Sequence, residues 1–149
     1  MSKNIGKNAK DASVIIPYQK KEILLQFRSN TKKIFYPLHW GCIGGAKEFG
    51  ETPKETAVRE FYEETNIKLN KKDIVFFSEF SFFLHPKKKR IKRYFYTYKI
   101  RNLKRFIKKI KVGEGKKMKF FNSKNFYKIK KVVPYDKFIL DYFCKIKNY

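Results

Sequence analysis

Alternating and continuous runs of apolar residues mark the strands of this chain. The pattern predicts five strands, at residues 12–18, 22–28, 74–84, 91–100 and 117–121. The first two are joined by the polar residues Gln19-Lys20-Lys21, which is typical of a hairpin. The next two are separated by His85-Pro86 and a run of lysines, which indicates a second turn.

Helical spacing appears in two places. Over 53–65 the helix has clear start and stop signals. Thr52 is a cap, Pro53 follows it, Glu55 stands three residues after the cap, and Asn66 suits a left-handed end. A second helix is predicted after Pro134, with its apolar side chains expected in the core: Phe138, Ile139, Tyr142, Phe143 and Ile146. Strands mixed with two helices predict an α/β or α+β sandwich.

Length and composition suggest one domain. The 149 residues suit a single core, predicted over 12–149 after a flexible basic tail at 1–11. No apolar run approaches the ~20 residues that cross a bilayer, and the start lacks a signal-peptide pattern, so we expect a cytoplasmic protein without membrane contacts. Cys42 and Cys144 are far apart and are expected to be buried thiols. The oligomeric state is not readable from this pattern.

The net charge of +24 would by itself suggest polyanionic partners such as RNA. Lysine, however, supplies 31 of the 37 basic residues and arginine only six. Arginine is the side chain favoured for bidentate recognition of phosphates and bases, so this imbalance weakens a nucleic-acid interpretation. Lys, Asn, Ile, Phe and Tyr are all encoded by AT-rich codons, and we attribute most of the charge to that bias.

Acidic residues are concentrated in one short segment. Six of the chain's thirteen fall within 48–64: Glu48, Glu51, Glu55, Glu60, Glu63 and Glu64. The last three are spaced i, i+3 and i+4, so they project from one side of the predicted helix. Their mutual repulsion would be relieved by a hard cation such as Mg²⁺ or Mn²⁺, which prefers oxygen ligands. The alternative is a solvated acidic face, partly neutralised by Arg59.

The glycine-rich loop before the helix decides between these alternatives. Gly44-Gly45 lets the backbone approach a ligand, although this loop matches neither common phosphate-binding fingerprint. Loop and helix together closely resemble the Nudix box, G-x5-E-x7-R-E-U-x-E-E-x-G-U, in which U is bulky and apolar. The matching positions are Gly45, Glu51, Arg59, Glu60, Phe61, Glu63, Glu64, Asn66 and Ile67. Asn66 replaces the final glycine, and Phe61 stands where an aliphatic residue is usual.

Weaker likeness extends outside the box. Trp40 before the glycine pair resembles the family's approach to the box, with Ile43 in place of the usual proline. Gly113-Glu114-Gly115 resembles a late Glu-Gly segment of many members. The stretch 133–136 also resembles the family where it opens the last helix.

The resemblance implies a mixed sheet between helices and hydrolysis of a nucleoside diphosphate linked to another group. It places Mg²⁺ or Mn²⁺ on Glu60, Glu63 and Glu64, with a carbonyl of Gly44 or Gly45 as a further ligand. Three residues receive catalytic roles: Arg59 would orient a catalytic glutamate, and either Glu60 or Glu114 would be the general base. Glu51 would support the junction of loop and helix. Glu114 could equally be a surface residue of a turn.

Three functions remain open. The leading hypothesis is a hydrolase of a small nucleotide-type substrate, namely a nucleoside triphosphate, a nucleotide sugar or a dinucleotide. The second is a Nudix enzyme acting on the 5′ end of RNA, where the basic charge would hold the backbone. The third is a Nudix-fold binding module without catalysis, which is disfavoured because no glutamate of the box is missing.

Overall fold

The structure is a computed structural model that describes residues 10–31, 34–84, 89–111 and 117–147. In these ranges seven strands form one sheet: β1 Ala12–Gln19, β2 Glu22–Phe27, β3 Trp40–Gly41, β4 Ile43–Ala46, β5 Ile74–Leu84, β6 Lys89–Lys99 and β7 Lys117–Asn122. The same ranges contain three α-helices, α1 Pro53–Thr65, α2 Leu103–Lys109 and α3 Pro134–Ile146, and two 3-10 helices, Lys71–Asp73 and Ser123–Lys128. All five strands predicted from the sequence are present.

Strand β1 is the centre of the sheet. Residues 12–18 of β1 pair in parallel with β6, and β5 follows antiparallel at the edge. On its other side β1 pairs with β2 only at the hairpin, where Tyr18 faces Ile23 and Gln19 faces Glu22. The two strands then diverge. The segment from β3 to β4 enters the gap, with β3 paired to β2 and β4 paired to β1.

Cys42 lies between β3 and β4, in the segment that enters the gap between β1 and β2. Its N–H donates to Asp136 Oδ2 at 2.9 Å, and its carbonyl accepts from Gln26 Nε2 at 3.3 Å. Two buried side chains thus satisfy a backbone unit that would otherwise be costly to bury. The divergence of β1 and β2 therefore depends on polar side chains as well as on the apolar core.

The two faces of the sheet carry separate cores, because successive residues of a strand point to opposite sides. Val14 and Ile16 of β1 pack under α3, in a cluster with Leu140 and Phe143. Ile15 points to the opposite face, in a cluster that includes residues of α1 and α2: Leu24, Ile43, Ala57, Phe61, Ile67, Leu69, Ile74, Tyr96, Ile100 and Phe106. Helices on both faces of a mixed sheet make the predicted α/β/α sandwich, which is confirmed.

Two expectations from the apolar pattern need correction. Only part of the α3 stripe is core: Ile139 and Phe143 are buried, whereas Phe138, Tyr142 and Ile146 are exposed at 64%, 52% and 49%. The stripe is wider than the arc of α3 that faces the sheet, so its outer members lie at the rim. Helix α2 was also missed. It is short, and its apolar residues are dispersed among lysines.

Some expectations fall on residues that the structure does not describe. These are the turn at His85-Pro86, the Gly113-Glu114-Gly115 segment and residues 1–9 of the tail. In the described part of the chain, no helix combines the length and apolar character that crossing a bilayer requires.

Candidate active site

Helix α1 begins and ends as its sequence predicts. The Thr52 hydroxyl accepts from the Glu55 N–H at 3.2 Å, and the Glu55 carboxylate accepts from the Thr52 N–H at 2.9 Å. This reciprocal pair is the predicted capping box. At the other end Asn66 adopts φ 60°, ψ 20°, and its N–H donates to the Tyr62 carbonyl. Asparagine tolerates the left-handed region, so it performs the role of the family's final glycine.

A side chain is excluded at each of the two glycines of β4, for a different structural reason. A Cβ on Gly44 would lie 2.1 Å from the Ser13 carbonyl oxygen, so β4 could not pair with β1 at this distance. A Cβ on Gly45 would lie 2.4 Å from Oε2 of Glu60. The Glu60 carboxylate therefore occupies the space that a side chain at position 45 would fill. This brings one predicted metal ligand next to the backbone of another.

Arg59 is the centre of the box. Its Nε donates to Glu51 Oε1 at 2.5 Å and its Nη2 to Glu51 Oε2 at 3.1 Å. Its Nη1 donates to Oε1 of both Glu60, at 2.9 Å, and Glu63, at 3.2 Å. Nη2 also donates to the Ala46 carbonyl at 3.0 Å. One guanidinium thus joins the end of β4, the loop and α1.

Glu51 connects the loop to the helix. Beyond Arg59, its Oε2 accepts from the Glu48 N–H at 3.0 Å and from the Thr56 hydroxyl at 2.8 Å. The hydrogen bonds from Arg59, more than the other donors, lower the pKa of Glu51 to about 2. Glu51 therefore carries a full negative charge at neutral pH and holds the junction of loop and helix.

Glu60 has the opposite tendency. Its side chain is only 14% exposed. Burial raises its pKa, although Arg59 acts to lower it, and the charges of Glu63 and Glu64 add to the rise. The carboxylate of Glu60 is thus a better proton acceptor near neutral pH than an exposed glutamate.

Glu63 and Glu64 lie at the outer part of the same network. Glu63 is 53% exposed and touches Arg59, whereas Glu64 acts electrostatically on Arg28, at the end of β2. In the described ranges no three His, Cys, Asp or Glu side chains converge as a metal-binding group. Arg59 contacts Glu60 and Glu63, so the spacing i, i+3 and i+4 gives a shared side of α1 but not a closed cluster of three carboxylates.

Sequence reasoning missed a second polar group beside the box. Arg93 of β6 donates to Asp136 of α3 through Nε at 2.7 Å and Nη2 at 2.9 Å, and both residues are buried. Burial opposes the charge of Arg93, but Asp136 more than offsets it, so the pKa of Arg93 is raised. The Arg93 guanidinium also lies 5.0 Å from the centre of the Tyr135 ring. Arg93 lies within the strand predicted at 91–100, which is β6, Lys89–Lys99.

Arg28 belongs to the same neighbourhood and was also missed. Burial and the nearby charge of Arg93 lower its pKa, while Tyr135, Asp136 and Glu64 oppose this shift. Its Nε is buried and has no hydrogen-bond partner among the residues described. The sequence did offer one signal for these residues, because arginine is scarce in this chain. Arg28, Arg59 and Arg93 are half of the six arginines, and all three lie at the end of the sheet where β4 leads into the box (the box end).

The comparisons with known proteins agree with this geometry. The model of the NUDIX domain matches residues 7–142. A MutT protein from Methanosarcina mazei Go1 superposes with a TM-score of 0.70 at 18% identity, covering 97% of this chain and 99% of that one. An Ap4A hydrolase from C. elegans gives 0.60 at 19%, covering 93% and 98%. A MutT NUDIX hydrolase from Burkholderia pseudomallei gives 0.70 at 14%, covering 91% and 98%.

At these identities the structural likeness shows the fold, and the domain model shows the family. The match spans both the box and the sheet that presents it. In the structure α1 is capped at both ends, Arg59 contacts the glutamates of the box, and Gly45 leaves space for the Glu60 carboxylate. The chain therefore belongs to the Nudix hydrolase family.

Proposed function

We propose that this protein hydrolyses a diphosphate linkage in a small nucleoside diphosphate derivative and uses Mg²⁺ or Mn²⁺ to do so. The candidate substrates are nucleoside triphosphates, nucleotide sugars and dinucleotides. The observation that carries the proposal is the Arg59 network, which holds the carboxylates of Glu60 and Glu63 on one guanidinium nitrogen beside Gly45. A network with more glutamates than arginines retains negative charge that a cation can neutralise.

The residues of the box suit a hard divalent ion. Magnesium in proteins is commonly held by one or two carboxylates together with waters and substrate phosphates, so a closed protein cage is not required. Glu60, Glu63 and Glu64 would hold the ion, with a carbonyl of Gly44 or Gly45 as a further oxygen ligand. When bound, such an ion neutralises the diphosphate and lowers the pKa of an attached water.

The protein's own residues supply the remaining steps. Arg59 fixes Glu60 through Oε1, which leaves the Oε2 side of the carboxylate against Gly45. Glu60 is a candidate general base, because burial raises its pKa and so makes its carboxylate more basic than that of an exposed glutamate. Glu114, which lies outside the described residues, is the other candidate.

Arg28 is suited to the substrate phosphates. A buried donor without a partner is costly, so a turn of the Arg28 side chain that lets Nε donate to a phosphate oxygen would relieve that cost. The charge of Glu64 acts on Arg28, so Arg28 lies within electrostatic range of α1. Arginine is also the side chain whose planar fork best fits a phosphate group.

The test is a screen for released phosphate and products over nucleoside triphosphates, nucleotide sugars, dinucleotides and capped or triphosphorylated RNA. Wild type is compared with Glu64→Gln, and Glu48→Gln is the matched control, because Glu48 belongs to the same acidic segment but to no charged position of the box. We expect kcat/KM to fall about 10³-fold in Glu64→Gln, ~4 kcal/mol of transition-state stabilisation, and to change little in Glu48→Gln. Equal turnover in wild type and Glu64→Gln would contradict the proposed role of the box glutamates, and no turnover on any compound would favour the binding module.

The 5′ end of RNA is the alternative substrate of the same chemistry. The net charge of +24 favours it. Affinity for RNA should then fall steeply as salt rises, since bound counterions are released. Activity toward RNA that does not respond to salt would rule this alternative out.

A further inference from the structure

A basic cleft lies on the α1 face of the molecule, between the end of β6, helix α2 and the residues that follow α1. Its volume is about 560 Å³, within the range of roughly 300–1,000 Å³ that is usual for small-ligand sites. Four cationic side chains line it: Lys68, Arg101, Arg105 and Lys109. Its apolar lining includes the rings of Tyr98 and Phe106, whose centroids are 6.1 Å apart.

The positive charge of this cleft is not neutralised by its own residues. Among the described lining residues Asp73 alone is acidic, and its Oδ2 already accepts from the Asn70 N–H at 3.2 Å. Within the described ranges, none of the four cationic side chains makes an ion pair or a side-chain hydrogen bond. Like charges gathered at a cleft repel one another, and an anion that enters the cleft removes this repulsion.

Codon bias accounts for lysines but poorly for the arginines of this chain. Of the six arginines, Arg28, Arg59 and Arg93 belong to the box end, and Arg101 and Arg105 line this cleft. The stretch 101–111 contains six basic residues and no acidic one. Two arginines on one cleft provide the bidentate donors that suit phosphate groups.

The cleft is separate from the box. Gly45 of β4 pairs with Ser13, near the start of β1, whereas Tyr98 of β6 pairs with Pro17. Four residues of strand correspond to about 13 Å. Among the box residues only Ile67, the last one, lines the cleft. A ligand bound here would therefore not be the one held by the carboxylates of α1.

We propose that this cleft binds a phosphate-bearing anion of nucleotide size. Its phosphates would lie on Arg101 and Arg105 with the two lysines around them, and its organic part would lie against Tyr98. The volume of the cleft favours a small molecule over a polymer, which would need an extended track. This binding function is additional to hydrolysis at the box.

The experiment is a calorimetric titration with ATP and with inorganic tripolyphosphate, in EDTA at physiological salt. The key variant is Arg101→Gln/Arg105→Gln. Its matched control is Lys104→Gln/Lys108→Gln, which removes the same charge from exposed α2 positions that do not line the cleft. The Arg105 N–H that Asn102 caps is a backbone group, so the substitution preserves it. We expect the dissociation constant to rise about tenfold or more in the arginine variant and less than about threefold in the control.

A box variant, Glu63→Gln/Glu64→Gln, separates this site from the hydrolytic one. It should bind ATP in EDTA as wild type does, whether or not the proposed hydrolysis is correct. Loss of binding in the box variant, equal loss in the two charge variants, or no binding to wild type would overturn the proposal. A single-stranded RNA oligonucleotide that binds more tightly than ATP and is weakened equally by both charge variants would also overturn it, in favour of a diffuse polyanion surface.

Discussion

Arg93 and Arg59 each form ion pairs with acidic side chains, and the two groups differ in net charge. Arg93 is buried, and a single acid, Asp136, takes two of its donors. Arg59 is 25% exposed and is shared by Glu51, Glu60 and Glu63. The first pair is electrically balanced, whereas the second group contains a surplus of negative charge.

The difference indicates what each network is for. The charges of the buried Arg93–Asp136 pair cancel, and Asp136 Oδ2 also accepts from the Cys42 N–H, which holds the β3–β4 segment between β1 and β2. An unbalanced group near the surface can accept a cation and still keep its geometry, because Arg59 is anchored on Glu51 and the Ala46 carbonyl. We therefore expect substitutions at Arg93–Asp136 to lower folding stability strongly, and substitutions around Arg59 to lower it little and to act mainly on activity where they involve Arg59, Glu60, Glu63 or Glu64.

Asp136→Asn should have the largest effect. It keeps the volume but leaves the Arg93 charge buried without its partner, and it should lower the free energy of unfolding by about 3–5 kcal/mol. Denaturant unfolding followed by circular dichroism measures this change. The control is Asp141→Asn on the same helix, which loses only an exposed pair with Lys137 and should cost less than about 0.5 kcal/mol. Equal costs for the two variants would contradict the distinction between the networks.

Arg59→Lys should have a smaller effect, and on a different quantity. Lysine keeps the charge but cannot donate to Glu51, Ala46, Glu60 and Glu63 from one planar group. We expect kcat/KM to fall about tenfold, which corresponds to ~1.4 kcal/mol, together with a higher Mg²⁺ concentration for half-maximal rate. The metal dependence is informative because a purely structural role of Arg59 would leave it unchanged. Arg90→Lys, at an exposed position of β6, is the control.

Glu51 should give the smallest effect, visible mainly in the pH dependence of stability. The folded pKa of about 2 lies below the ordinary value of 4.5, so the contribution of Glu51 is fully present above about pH 4.5 and is lost as the pH falls toward 2. Glu51→Gln should melt a few degrees below wild type at pH 6, and the gap should close near pH 2. Thermal melts at several pH values measure it, and a gap that is constant with pH would show that the pairing with Arg59 is not its cause.

The features that could be predicted from the sequence are those determined by residues close together in the chain. Helix α1 was predicted with both ends because Thr52, Glu55 and Asn66 each determine backbone geometry within a few residues. The box was found because its spacing is local too. The contacts that the sequence did not reveal are long-range: the parallel register of β1 with β6, and the hydrogen bond from Cys42 to Asp136, 94 residues apart. Side-chain direction was a further limit, because the spacing places the three glutamates on one side of α1 but does not show that Arg59 contacts Glu60 and Glu63.

The pairing of β1 with β6 also has a consequence for synthesis on the ribosome. Strand β1 emerges first, but Ala12 must wait for Arg93, and Cys42 must wait for Asp136. Such distant contacts slow folding, because a long loop must close before they contribute. Until then the nascent chain exposes the apolar residues of β1 and β2. We expect this protein to rely on chaperones during translation and to mature only after α3 has left the exit tunnel.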